Sequence, residues 1–276
     1  MVPVGMPAVP VVPVTLGRVT SRALLHRCPV VLAIIGCLTL LVSSAAGGPL
    51  PQQQQATPQK RTTVDEVEAL RQKAEQGEAT AQFKLGLAYA TGQGVPQDYA
   101  QALARYRDAA NQGDADALCQ LATMYQNAEG VPEDHVEAYK WASLAYMLRR
   151  NFQISCAENV DDMQKKLSAR QRKEANRRVD EWRAAVRFTS PRVLTEVPPE
   201  YPDRALKAKI HGKVTISAIV GTDGAVGDCR VAGSLGPDLD QEAIRVARQW
   251  RFVPAKIGDK PVPMQVTIEL SFKIER

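Results

Sequence analysis

The sequence is poor in the residues that carry out chemistry. It holds three histidines, His26, His135 and His211, and none stands at a metal-ligand spacing from a second ligand. No serine sits in a nucleophile elbow, and no glycine-rich run has the phosphate-loop pattern. Cysteine is scarce as well: Cys28, Cys37, Cys119, Cys156 and Cys229 include no CxxC pair, which leaves no zinc-ribbon or thioredoxin-type site. The paired acids Asp161-Asp162 read as a solvated helix face. These absences give an enzyme no support and call for no cofactor. Charge of one sign is also thin. The net charge of +5 is not gathered into one run, so nucleic acid is not an expected partner.

The first 17 residues carry no charge at all, which is odd for a leader and consistent with a later start. Residues 18–46 have the leader pattern. Arg18, Arg22 and Arg27 precede an apolar run from Cys28 to Ala46. Nineteen helical residues would span roughly 28 Å, close to the ~30 Å hydrocarbon core of a bilayer. Positive charge before the run places the N-terminus in the cytoplasm and the rest outside. Two fates fit this 1–46 leader: an uncleaved signal anchor, or cleavage at Ser44-Ala45-Ala46 and release into the periplasm. A lipoprotein reading on Cys37 fits less well, because Leu38–Val42 is apolar where a polar stretch is expected. Residues 47–63, rich in Pro and Gln, form a polar linker.

Beyond the linker the chain repeats itself with a period of 36: Gly77, Ala81, Leu85, Tyr89, Gly94, Pro96, Asp98 and Ala102 return as Gly113, Ala117, Leu121, Tyr125, Gly130, Pro132, Asp134 and Ala138. Within a copy, Ala81, Leu85, Ala88 and Tyr89 share one helix face. Gly92-Gln93-Gly94 stops that helix, Pro96 and Asp98 shape the turn, and Ala102, Leu103, Tyr106 and Ala110 begin a second face. The pattern A-x-x-x-L-G-x-x-Y followed by G-x-G-V-P-x-D-Y-x-x-A resembles the Sel1-like repeat, a relative of the tetratricopeptide repeat. The second copy departs from it at Ala122, Ala128 and His135. Ser168 and Gln171 form a capping box ahead of Ala175, Val179, Trp182 and Val186, a helix that closes the solenoid. Trp141 and Trp182 are assigned to the core. The helical part is set at residues 64–188. Cys119 and Cys156 are 37 apart, nearly one repeat, which allows a bridge between neighbouring helices.

Residues 189–197 form a second linker, and residues 198–276 change to mixed structure. Val214, Ile216, Ala218 and Val220 mark a strand, Gly221–Gly224 a turn, and Val226–Ser234 the returning strand. Asp238 is placed as the cap of a helix that buries Leu239, Ala243, Ile244, Ala247 and Trp250. Gly258 and Pro261 mark a loop, and Val266, Ile268, Leu270 and Phe272 the last strand.

Six short motifs stand in order here: Tyr201-Pro202-x-x-Ala205, Gly212-Lys213-Val214, Asp223-Gly224-x-Val226, Leu239-Asp240-x-x-Ala243, Trp250-Arg251-Phe252-x-Pro254-Ala255 and Lys260-Pro261-Val262. Together they resemble the TonB C-terminal domain. The fold class expected is therefore multidomain: an all-α Sel1-like solenoid followed by a small α+β ββαβ domain. The resemblance implies an energy transducer that grips an outer-membrane receptor peptide along its last strand, here Met264, Val266, Thr267, Ile268, Glu269, Leu270, Ser271 and Phe272. Pro199, Glu200 and Tyr201 would form a second contact region. Inner-membrane motor proteins are implied partners, and the repeats would hold a protein partner of their own. The alternative is a periplasmic adaptor without energy transfer. Two features depart from the resemblance: the long Pro-rich arm is missing, and the apolar run holds Ser43 and Ser44 but no His.

Overall fold

The computed structural model describes the backbone of residues 11–13 together with residues 64–151 and 160–273, and these fall within one compact unit. Residues 1–10 and 14–63, with the apolar run, and Cys156 lie outside the described residues. Among the described residues no helix is long and apolar enough to cross a membrane.

In chain order the first described element is strand β1 (Val11–Pro13). The helical part then runs through α1 (Val64–Glu75), α2 (Ala79–Thr91), α3 (Tyr99–Ala110), α4 (Ala115–Asn127), α5 (His135–Leu148), α6 (Val160–Lys166) and α7 (Ala169–Ala185). Repeat physics accounts for the α2–α3 and α4–α5 pairs. Ala81, Leu85, Ala102, Tyr106, Ala117 and Leu121 are buried, and the small Ala side chains let paired helices approach closely. Close approach is also enforced at Gly86, where an added Cβ would meet the Tyr106 ring at 2.7 Å. Asp98 and Asp134 do more than shape a turn: each caps its helix, the Asp98 carboxylate accepting from the amides of Ala100 and Gln101, and that of Asp134 from Val136 and Glu137. The Ser168–Gln171 capping box forms as expected and starts α7, which buries Ala175, Val179 and Trp182 against α5. Arg178 fastens the two helices by reaching Glu137 on α5 at 2.8 Å and Glu174 on its own helix at 2.9 Å.

The C-terminal part contains β2 (Phe188–Thr189), β3 (Arg192–Thr195), α8 (Asp203–Lys207), β4 (Gly212–Val220), β5 (Val226–Gly233), α9 (Pro237–Ala247), β6 (Arg251–Val253), β7 (Ala255–Ile257), β8 (Lys260–Val262) and β9 (Met264–Phe272). The main sheet has the order β1-β9-β4-β5. β4 lies antiparallel to both β5 and β9, with Ile216 opposite Ile268. Val214, Ile216, Ala218, Val266, Ile268, Leu270 and Phe272 form one core with Leu239, Ala243, Val246 and Ala247 of α9 and with Trp250 and Phe252. The fold class is thus helical repeats followed by a small α+β domain.

Three local expectations are corrected. The segment 189–197 is not a free linker: β3 pairs antiparallel with β6, and β2 with β7. α9 starts at Pro237 with Gly236 at its cap position, so Asp238 lies inside the first turn, and Asp240 instead accepts the Leu235 amide at 3.1 Å. Gly258 and Pro261 do not mark an open loop: Gly258 lies at the turn of the β7–β8 hairpin and Pro261 is on β8, opposite Lys256.

Candidate functional site

The β7–β8 hairpin determines how the terminal sheet meets the repeats. Ala255, Ile257, Val262 and Met264 belong to the same buried cluster as Ala110, Tyr139, Leu144 and Trp182. The hairpin seats on the turn between α3 and α4. There Gly113, with φ +84°, leaves room that a Cβ would fill, at 2.8 Å from Ile257 Cδ1 and 3.0 Å from Val262 Cγ1. Lys260 Nζ donates to Gln112 Oε1 at 2.9 Å, and the Gly258 amide to the Val186 carbonyl at 3.0 Å. The terminal sheet is therefore fixed to the helices by apolar contact, with few polar bonds at the rim.

This seating determines the surroundings of β9. Met264, Val266, Ile268, Leu270 and Phe272 are buried, as the alternation predicts. Alternation turns Thr267, Glu269 and Ser271 to the opposite face. It is free only in part. Gln265 is 2% exposed and Thr267 is 9% exposed. Gln265 Nε2 donates to Tyr146 Oη of α5 at 3.0 Å and to Ser217 Oγ of β4 at 2.8 Å. Glu269 and Ser271, further along, are half-buried, and Glu269 accepts from Lys213 at 2.9 Å across to β4. That ion pair is at the surface and contributes little. Nothing in the sequence marked Gln265 or Tyr146, which stand 119 residues apart and meet only because the hairpin docks.

Pro199, Glu200 and Tyr201 are brought near the same sheet. Pro199 is buried, while the Glu200 amide donates to Glu242 Oε1 on α9 at 2.7 Å. Tyr201 meets the last residue of β9 edge-on, with its ring 5.8 Å from that of Phe272, and its hydroxyl donates to the Ile210 carbonyl. Burial raises its phenol above the ordinary value. Trp250 Nε1 donates to the Val197 carbonyl at 3.1 Å, so the core tryptophan holds the segment just before Tyr201. The predicted contact segment Pro199–Tyr201 is thus tied to the terminal domain by structural bonds, and its exposed member is Glu200.

Within the terminal domain β9 has one neighbour, β4, and its other side is an edge. An edge presents unpaired N–H and C=O groups and is a template for strand addition. A strand is added there in the structure: Val11, Val12 and Pro13 lie parallel to β9, opposite Thr267, Ile268 and Glu269. Among the described residues no three His, Cys, Asp or Glu side chains are grouped to hold a metal. Cys119 is disulfide-bonded, Cys229 is free, and Cys156 lies outside the described residues.

Comparison with known proteins separates the chain into the same two parts. Residues 197–274 match the family described as Gram-negative bacterial TonB protein C-terminal, and residues 79–114 and 115–149 each match the Sel1 repeat. Over 77 residues the chain is 36% identical to Protein tonB2 of Pseudomonas aeruginosa, a match that covers 28% of each. Among solved structures it is similar to the P. aeruginosa TonB CTD at 32% identity, over 32% of this chain and 90% of that one, with a TM-score of 0.28. It is also similar to a protective antigen of uropathogenic Escherichia coli with an SLR fold, at 35% identity over 44% of this chain and 26% of that one, with a TM-score of 0.41. The matches span about a third of the length of the relatives named TonB.

Proposed function

We propose that this chain is a TonB-like energy transducer of the Gram-negative cell envelope, and that it takes a peptide strand of an outer-membrane receptor on the side of β9 away from β4. The observation that carries the reading is that β9 has one neighbour, β4, within the terminal domain, and that its other side accepts the short strand β1, with α5 at one end and Tyr201 at the other. The match of residues 197–274 supports the same reading. Residues 28–46 would anchor the chain in the inner membrane, or be cut away, and the described domains would stand in the periplasm. Backbone pairing would supply affinity, and the side chains beside Glu269 and Ser271 selectivity. Catalysis has no part in this reading, and no cofactor is needed.

The Sel1 repeats favour a second reading, an envelope adaptor that holds one protein on its helices and another on β9 without transmitting force. The two readings share the strand-accepting edge.

The test is site-specific disulfide capture in living cells. Glu269 is half-buried and leaves β4 pairing to its backbone, so Glu269→Cys keeps the fold. It is combined with single cysteines along the periplasm-facing N-terminal segment of candidate outer-membrane receptors. The expected result is a crosslink that alternates with position along the receptor segment, as side chains of an added strand alternate. No crosslink at any position would contradict strand addition here.

A further inference from the structure

The chain's basic surplus is not evenly spread, contrary to what its modest net charge suggests. Residues 165–187 hold nine Lys and Arg against three Asp and Glu, a net +6 where the whole chain has +5, so all other residues together sum to −1. Most of these charges fall on α7, whose inner face buries Ala175, Val179 and Trp182. Several of them serve the fold. Arg172 donates to the Gln164 and Leu167 carbonyls at the end of α6, and Arg178 reaches Glu137 and Glu174. Arg177 pairs with Glu174 and Glu181, and Lys165 with Asp162. Lys166, Arg170 and Lys173 are different. All three are exposed, and among the described residues none has an ion pair or a side-chain hydrogen bond. Arg170 and Lys173, three apart, share one outer face of α7. Lys166 and Arg170 flank the start of that helix, whose first turn holds no acid. Cations there oppose the positive end of the helix dipole, so the helix itself does not call for them.

We propose that this face, through Lys166, Arg170 and Lys173, docks the repeats on an anionic lipid surface by contact with phospholipid headgroups. The match is one of charge: long side chains carry three unpaired cations outward, and each cation near such a surface adds to the attraction. Phosphate beside the start of α7 also relieves the conflict with the helix dipole. A protein partner fits less well. Specific protein interfaces are anchored by large apolar and aromatic side chains. The exposed large hydrophobics among the described residues, Val64, Leu87, Leu194, Leu206 and Ile210, all lie on other segments. A single-stranded nucleic acid fits less well too, since it needs aromatic rings to stack on. The one aromatic of α7, Trp182, is buried and donates to Asn111. None of this involves β9, so the docking face stands or falls apart from the strand-acceptor reading.

The test is co-sedimentation with vesicles of phosphatidylcholine, either alone or with about one third phosphatidylglycerol. The hydrophobic core clusters of the described residues lie between Val67 and Phe272, so the chain from Arg61 onward keeps that whole core. It leaves out the apolar run 28–46, whose own affinity for lipid would mask the docking face. The wild type is compared with Arg170→Gln/Lys173→Gln and with a control, Lys73→Gln/Lys84→Gln, which removes the same charge from exposed positions on α1 and α2. Circular dichroism melting checks that all three are folded. The wild type and the control should bind the anionic vesicles but not the neutral ones, and lose them at about 0.5 M salt. The Arg170→Gln/Lys173→Gln variant should bind about tenfold or more weakly. No binding by the folded wild type overturns the proposal, as does equal binding by that variant. An equal loss in the control would trace the binding to net charge and also overturn it. Polyglutamate and a short RNA duplex are tested on the same proteins. If either binds the wild type more tightly than the anionic vesicles do, and the variant loses it, the face belongs to an acidic protein or a nucleic acid and the lipid assignment is overturned.

Discussion

At the residue scale the 36-residue repeat provides its own internal controls. Gly92 and Ala128 occupy equivalent positions and do the same work: each ends a first helix in the left-handed conformation, with φ 70° and 58°. Glycine takes that conformation without strain, whereas a Cβ at such a position costs about 1–2 kcal/mol. The chain thus carries strain at Ala128 that it avoids at Gly92. Replacing Ala128 by Gly should raise stability by roughly 0.5–1 kcal/mol, after the entropy lost by the more flexible unfolded chain is subtracted. Gly92→Ala should lower it by a similar amount. Urea denaturation of both variants checks the pair, and a loss of stability in Ala128→Gly would show that the cap is held by its surroundings rather than strained. The sequence showed the departure at Ala128 from the repeat pattern but not its conformational consequence, because that depends on a backbone angle. Asp98 and Asp134 were visible as turn residues, and their capping role emerges only once the helix starts are known.

At the element scale the β7–β8 hairpin joins two regions that the sequence presented as separate. Local patterning made the repeats, the capping box of α7, and the strands β4, β5 and β9 legible, since each has a period of its own. The docking of Ile257 and Val262 on the helices has no period and no local signal. The segment 189–197, read as a linker, pairs as β3 with β6, a contact that likewise has no local signal in the sequence. Gly77 and Gly113 test the docking cleanly. They are equivalent repeat positions with the same φ of +84°, but Gly77 has open space beside it while Gly113 faces Ile257 and Val262. Substituting Ala at Gly77 costs the backbone strain alone. At Gly113 the same change adds an overpacking cost, so Gly113→Ala should be more destabilising by about 1–3 kcal/mol. Equal losses on chemical denaturation would show that the hairpin is not seated on the α3–α4 turn.

At the scale of the whole molecule, the helices and the terminal sheet share a core, and this alters the site. The sequence led to β9 as the partner strand and to its buried face, and the six ordered motifs led to the domain. It did not lead to the partial loss of the other face, where Gln265 and Thr267 are buried and Tyr146 of α5 binds Gln265. A partner strand would then lie beside a wall contributed by the repeats, so selectivity is shifted toward Glu269 and Ser271. The most direct measurement is amide hydrogen exchange across β9 in the chain from Arg61 onward, with and without a receptor N-terminal peptide. Along a strand the amides face alternate sides, so one alternating set from Gln265 to Ser271 bonds to β4 and the other faces the edge. Strand addition at β9 predicts that the peptide slows exchange at the edge-facing set while the set bonded to β4 changes little. Peptide binding that protects another surface, or leaves every β9 amide unchanged, would contradict it.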